Sequence, residues 1–194
     1  LYTLWPAKPE YDANGEDLNA QPSTRMFTIS SRFATRLSGV EFGRAKAVAY
    51  VEIDFTGGDA ANSIRLRHAY SRFDWPKTSL LFGRTWHPTF IEKVFPGVMA
   101  LNTGVPFQVF NRSPQLRVTH HLSCRLDLIA AAVYQINYIN YGPDPVTGAS
   151  VASSRYQRDA MIPNFHLQLQ YFDDQWVAGA GVDWKTIQPR SYTI

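Results

Sequence analysis

The sequence predicts an all-β fold, an antiparallel up-and-down transmembrane β-barrel with its apolar face outward. Three observations predict it. Alternation of apolar and polar residues with period two recurs along the chain, in eight segments and a partial ninth. The connections between those segments are short and long in alternation. Aromatic residues make up 14% of the 194 residues, and the last strand, "QWVAGAGVDWKT", carries a tryptophan at each end of its apolar face. No run reaches the roughly 18 apolar residues of a membrane helix. That leaves a barrel open, because in an alternating strand only every second residue has to be apolar.

The partial segment is "LYTLWP" at 1–6, followed by a polar loop. Residues 25–37 then place Phe27, Ile29, Phe33 and Leu37 against Thr28, Ser30, Arg32 and Arg36. The link "SGVEFGR" leads to 45–56, where Ala47, Ala49, Val51, Ile53 and Phe55 oppose Lys46, Tyr50, Glu52 and Asp54. After "GGDAAN", residues 63–75 set Arg65 and Arg67 opposite Ile64 and Leu66, and the phase is lost near His68, which predicts a bulge. A "PK" turn precedes 78–87, to which the pattern assigns no facing.

The irregular stretch 88–113 comes next. Strand 114–122 sets Leu116, Val118, His120 and Leu122 against Gln115, Arg117, Thr119 and His121. Strand 125–138 puts Leu126, Leu128, Ala130, Ala132, Tyr134 and Ile136 on one face, with Arg125 and Asp127 opposite. A second long loop ends at 163–172, where Phe165, Leu167, Leu169 and Tyr171 oppose His166, Gln168 and Gln170. "DD" turns into 175–186, with Trp176, Ala178, Ala180, Val182 and Trp184 opposite Gly179, Gly181, Asp183 and Lys185.

Alternation alone does not say which face is wet, since a lipocalin-like barrel has the same period. Strand length points to lipid: the segments run about 10–13 residues, against about 5–6 in ordinary sheets and about 9–11 for a tilted membrane strand. Trp176 and Trp184 lie roughly 26 Å apart along a strand at about 3.3 Å per residue. With tilt this is about 20 Å along the membrane normal, close to the height of the band between aromatic girdles. In a meander all short turns fall at one end and all long loops at the other, as in outer-membrane barrels. A sheet in lipid must close, so an odd and unfinished strand count predicts that residues 1–194 form one incomplete barrel domain.

Composition excludes several functions. A net charge of +3 with scattered bases argues against nucleic acid. A single cysteine, Cys124, rules out an internal disulfide and a thiolate metal cluster. His120 and His121 are adjacent in a strand, point to opposite faces and cannot share a metal. No G-x-S-x-G, H-E-x-x-H or P-loop pattern occurs. The expectation is no catalysis, no cofactor and no metal.

The stretch "IRLRHAYSRFDWPKTSLLFGRTWHPTF" followed by "PFQVFNRSPQLRVTHHL" resembles the Bacteroidetes-type porin-like outer-membrane proteins, distant relatives of the trimeric general porins. The resemblance covers most of 25–187. It is carried by the arginine-rich strand, the tight turn, "GRTWHP" and "FNRSPQLR". It implies a sixteen-stranded barrel, usually a homotrimer, in the outer membrane of a Gram-negative bacterium, bounded by membrane lipid and lipopolysaccharide. In such porins the third outer loop, between the fifth and sixth strands, folds into the barrel and narrows the pore. If "LYTLWP" ends the first strand, residues 88–113 fall at that place.

On this reading the protein is a porin, a water-filled diffusion channel for small hydrophilic solutes. The expected pore lining holds the bases Arg32, Arg36, Lys46, Arg65, Arg67, Arg117, Arg125 and Lys185 and the acids Glu52, Asp54, Asp127 and Asp183. An excess of fixed positive charge in a low-dielectric wall enriches anions, which predicts a mild anion preference. Glu92, Lys93 and Arg112 are the expected constriction-loop charges, and Trp176 and Trp184 the lipid-facing girdle. The plainer reading of the same charges is a solvated, mutually paired strand face. Two alternatives stand beside the porin. One is a soluble all-β carbohydrate- or ligand-binding module using Tyr138, Tyr141 and Tyr156; the other is an outer-membrane barrel enzyme.

Overall fold

The structure is a computed structural model that describes residues 8–20, 31–57, 63–95, 110–136, 139–144, 147–154 and 158–188. The predicted partial strand 1–6 and residues 25–30 lie outside the described residues.

The described chain is all-β. Its strands are β1 Arg32–Phe42, β2 Ala45–Asp54, β3 Arg65–Asp74, β4 Thr78–Trp86, β5 Arg112–Ser123, β6 Leu126–Val133, β7 Asn140–Pro143, β8 Ser150–Ser153, β9 Asn164–Phe172 and β10 Val177–Trp184. Two short 3-10 turns, Leu18–Ala20 and Glu92–Val94, also occur among the described residues. Eight strands form one sheet in the order β1-β2-β3-β4-β5-β6-β9-β10, and every neighbouring pair is antiparallel. Among the described residues the sheet is open, with β1 and β10 at its edges. β7 and β8 form a separate hairpin inside what alternation marked as loop, because "NYGP" and "SVAS" are short and carry no apolar face.

Two of the main sheet's three register shifts, in β1 and β3, adjust the phase of the polar and apolar faces. The stretch 38–44 was expected as a link, but β1 runs on to Phe42. Gly39, at φ 93, lets the register shift between Ser38 and Val40. The shift brings Val40 and Phe42 to the face of Leu37 and sends Glu41 to the other, opposite Lys46. Gly43 and Arg44, at φ 51 and 68, then close a two-residue hairpin with both central residues left-handed. In β3 the predicted bulge is present: Glu52 pairs with His68 and Ile53 with Leu66, so Arg67 is the extra residue. Arg67 and His68 are both buried on the polar side.

Pairing also assigns β4. Leu81 lies opposite Arg117 and is buried, whereas Phe82 lies opposite Leu116 and is 67% exposed. Gly83 sits at φ 128, and a Cβ there would collide with the Ala69 carbonyl oxygen and the Tyr70 backbone. Only glycine lets β3 and β4 approach so closely.

The short connections are Gly43–Arg44, 75–77, 124–125 and 173–176, and all lie at one end of the sheet. The long ones, 55–64, 87–111 and 134–163, leave and rejoin the sheet at the other. The 173–176 turn is held by Asp173, whose carboxylate accepts the backbone N–H groups of Gln175 and Trp176 and the Tyr171 hydroxyl.

Burial runs opposite to that of a water-soluble domain. The buried side chains include Glu52, Asp54, Arg67, Gln115, His166 and Gln168, while Leu37, Phe82, Leu167, Leu169 and Val182 are exposed. The exposed face is banded. At the long-loop end stand Phe33, Phe55, Phe165 and Trp184, with Phe33 and Phe55 edge to face at 5.9 Å. At the short-turn end stand Phe42, Phe73, Trp75 and Trp176, with Phe42 and Phe73 at 6.2 Å. Between the two rows the face is mostly Val, Leu and Ala, with Phe82 among them.

Candidate functional site

The polar face carries the charged chemistry, and the antiparallel register brings its residues side by side. Glu52 and Asp54 project from β2 two residues apart, onto the same side. Across β3, Arg65 closes on Asp54 through Nε and Nη2 at 3.1 and 2.7 Å. Arg67, 5% exposed, bridges both carboxylates, donating to Glu52 at 2.6 Å and to Asp54 at 2.7 Å. The Tyr50 hydroxyl donates to Glu52 at 2.6 Å. Burying an arginine this deeply is tolerable only because two carboxylates and a fork of hydrogen bonds receive it.

From β3 the network continues to β5. His68 meets the Thr85 hydroxyl at 3.1 Å, and its Nε2 accepts from Arg112 Nε at 3.2 Å. The Arg112 guanidinium stacks 3.5 Å above the Trp86 ring. Arg112 was expected within the loop 88–113, but it is the buried first residue of β5. Arg117 donates to Gln115 and to the Trp86 carbonyl oxygen. Gln115 also donates to the carbonyls of Thr85 and Trp86 at 3.1 and 2.9 Å.

Arg32 and Arg36 stand on the polar side of edge strand β1, opposite Asp54 and Tyr50. Arg32 is 3.9 Å from Glu52, a long contact, and its side chain is half exposed. Arg36 has no carboxylate within ion-pair distance among the described residues. Lys46 lies at the short-turn end between Glu41 and Asp74 in register. Asp127 holds His121 at 2.7 Å near the same end. Lys185, just past β10, donates to Gln135 at 3.0 Å. Arg125 was expected on a strand but belongs to the turn before β6. Trp176 precedes β10 and Trp184 ends it; both are 69% exposed on the apolar face, as is Val182.

The chain leaving β4 turns over the polar face. Four strand steps separate β4 from β10, about 19 Å at roughly 4.8 Å each in a flat sheet. Yet His87 Nε2 is 3.6 Å from Asp183 on β10, and its ring centroid is 5.6 Å from that of His166 on β9. His166 Nδ1 reaches the same Asp183 oxygen at 3.2 Å. Burial pushes the His87 imidazole down to about 4; Asp183 opposes this, and electrostatic interaction with His166, Arg117 and Lys185 adds to it. Farther along, Lys93 Nζ sits 3.1 Å over the ring of Phe172, the last residue of β9. Segment 87–95 thus runs from the long-loop end toward the short-turn end across the polar side. Phe90 anchors it, stacked on Trp86 at 4.2 Å and also touching Phe95 and Phe110.

Among the described residues, two recesses border the segment. One, of about 480 Å³, lies between Arg32, Arg36 and Tyr50 on one side and Trp86, Phe90 and Phe95 on the other. The second, of about 230 Å³, is bordered by Arg72, Arg117, Asp127 and Phe172, with Glu92 and Lys93 over it. Glu92 and Lys93 are therefore brought against the strand charges, while residues 96–109 of the expected loop lie outside the described residues. Tyr138 and Tyr156 lie outside them too, and Tyr141 is exposed on β7.

Pattern reading missed the His87–Asp183–His166 cluster and the Trp86–Phe90 anchor. His166 was placed on the polar face by alternation, but nothing local signals that a residue beyond β4 meets β10. Among the described residues no group of three or more His, Cys, Asp or Glu side chains is arranged to hold a metal ion. Comparison of the chain with protein-family models, with curated proteins and with solved structures finds no match.

Proposed function

We propose that this chain is part of an outer-membrane porin, a water-filled channel through which small hydrophilic solutes diffuse, with a mild preference for anions. The observation that carries the reading is the exchanged polarity of the two faces. Val182, Trp176 and Trp184 are 69% exposed while Asp54 is 2% exposed. In water such an arrangement forfeits the burial of a whole apolar face. Against acyl chains it forfeits nothing, and the two aromatic rows then fall at the two interfaces. The one-ended distribution of long connections supports the same orientation, with the long loops outward and the short turns periplasmic.

On this reading the open edges at β1 and β10 are closed by further strands of a sixteen-stranded barrel, and three copies assemble side by side in a Gram-negative outer membrane among lipid and lipopolysaccharide. Segment 87–95 is the root of a constriction loop, and Glu92 and Lys93 stand at the eyelet. Anion preference follows from the charge balance. Glu52 and Asp54 are neutralised by Arg65 and Arg67, so Arg32 and Arg36 are in excess on that wall. Fixed positive charge beside a narrow water column concentrates anions.

The test is conductance of the purified full-length protein in a planar bilayer, with reversal potential read in a salt gradient. Openings in threes and an anion-selective potential are expected. A cation-selective potential overturns the charge reading. Release of the protein from cells without detergent, together with no conductance, overturns the porin and favours a soluble binding module.

A further inference from the structure

We propose that the larger recess is a binding subsite for organic anions that carry a flat apolar group, such as an aromatic carboxylate. The proposal deepens the channel reading, since the recess lies on the face proposed to line the pore. Its two walls differ in chemistry. On β1, Arg32 and Arg36 present two guanidinium groups one above the other, four residues apart on the same face. The nearby carboxylates Glu52 and Asp54 are already occupied by Arg65 and Arg67 at 2.6–2.7 Å. Arg32 keeps only a 3.9 Å contact with Glu52 and Arg36 has no carboxylate partner among the described residues, so both can take an oxyanion from solution. A guanidinium fork matches a carboxylate in two parallel hydrogen bonds.

The opposite wall is aromatic apart from Glu92, which also borders the recess. Trp86 and Phe90 are stacked at 4.2 Å, and Phe95 packs on Phe90 at 5.4 Å. Tyr50, paired in register with Arg36, adds a ring to the arginine side. A recess of about 480 Å³ exceeds what one inorganic anion fills and falls in the size range of small-molecule sites. A ligand that is only charged leaves the rings in water, and a ligand that is only apolar leaves the guanidiniums unanswered. Benzoate satisfies both walls.

Two measurements on the detergent-solubilised full-length protein test this, with benzoate, acetate and benzyl alcohol as probes. Ligand-observed NMR titration should show saturable benzoate binding at least about tenfold tighter than that of either other probe. Arg36→Gln should weaken benzoate about tenfold, the size expected for loss of a charge-assisted hydrogen bond. Phe95→Leu should narrow the gap between benzoate and acetate. In bilayers, benzoate should reduce chloride current saturably where acetate does not. Equal binding of benzoate and acetate overturns the subsite whatever the conductance. Tight benzoate binding to a protein that conducts nothing keeps the subsite and removes the channel.

Discussion

Replacing Leu169 with arginine places a charge at the centre of the exposed apolar face, and the cost depends on what that face touches. Leu169 is 43% exposed and lies between Leu128 on β6 and Ala180 on β10. Ala180 stands midway between Trp176 and Trp184 in sequence. At about 3.3 Å per residue and a tilt of about 40°, each tryptophan is roughly 10 Å from Leu169 along the membrane normal. Leu169 is then at the bilayer midplane, where an arginine on a barrel's lipid face costs about 2–4 kcal/mol. On a water-facing sheet the same change is worth about 0.5 kcal/mol or less. Denaturant unfolding of the full-length protein in lipid vesicles measures the difference. Trp184→Arg, at the interface, serves as the internal reference and should cost about 0–1 kcal/mol from charge alone. If Leu169→Arg folds into vesicles with unchanged stability, the outward face is not in hydrocarbon and the polarity reasoning fails.

Other outcomes follow from the same geometry. Gly83→Ala forces a Cβ into the Ala69 carbonyl at positive φ and should destabilise the β3–β4 pairing by at least roughly 1–3 kcal/mol, read as a lowered unfolding midpoint. Arg44→Gly removes a left-handed non-glycine residue, at φ 68, from the hairpin and should stabilise by about 1 kcal/mol or somewhat less. Asp54→Asn leaves Arg67 with one carboxylate and should both lower stability and shift the reversal potential further toward anions; a shift toward cations would count against the charge balance. His87 is held neutral in the fold down to about pH 4 but titrates near 6.5 when unfolded, so the unfolded form takes up the proton first. Its contribution to docking of segment 87–95 is present above about pH 6.5 and is lost as pH falls toward 4. Hydrogen exchange of that segment, corrected for intrinsic rates, should show weaker protection at pH 4.5 than at 7.5, and His87→Phe should flatten the difference.

Alternation by itself determined that the described chain is all-β, where the strands of the main sheet other than β1 lie, and which residues of β2, β5, β6, β9 and β10 share a face. These are local properties: a strand's side chains alternate whatever it pairs with, so two-residue periodicity survives in the sequence. The candidate site was legible to the same depth. Arg65, Arg67 and Asp54 were placed on one side by pattern, but their mutual contacts were not. Tertiary structure decided what depends on residues far apart in the chain. Pairing with β3 and β5 oriented β4, whose apolar residues do not alternate cleanly. The Gly39 bulge carried β1 through an apparent link, because register is settled by the partner strand and not by the strand alone. The meeting of His87 with Asp183, four strands away, arises only when the chain folds back over the polar face, and such a contact leaves no periodic trace in the residues that make it.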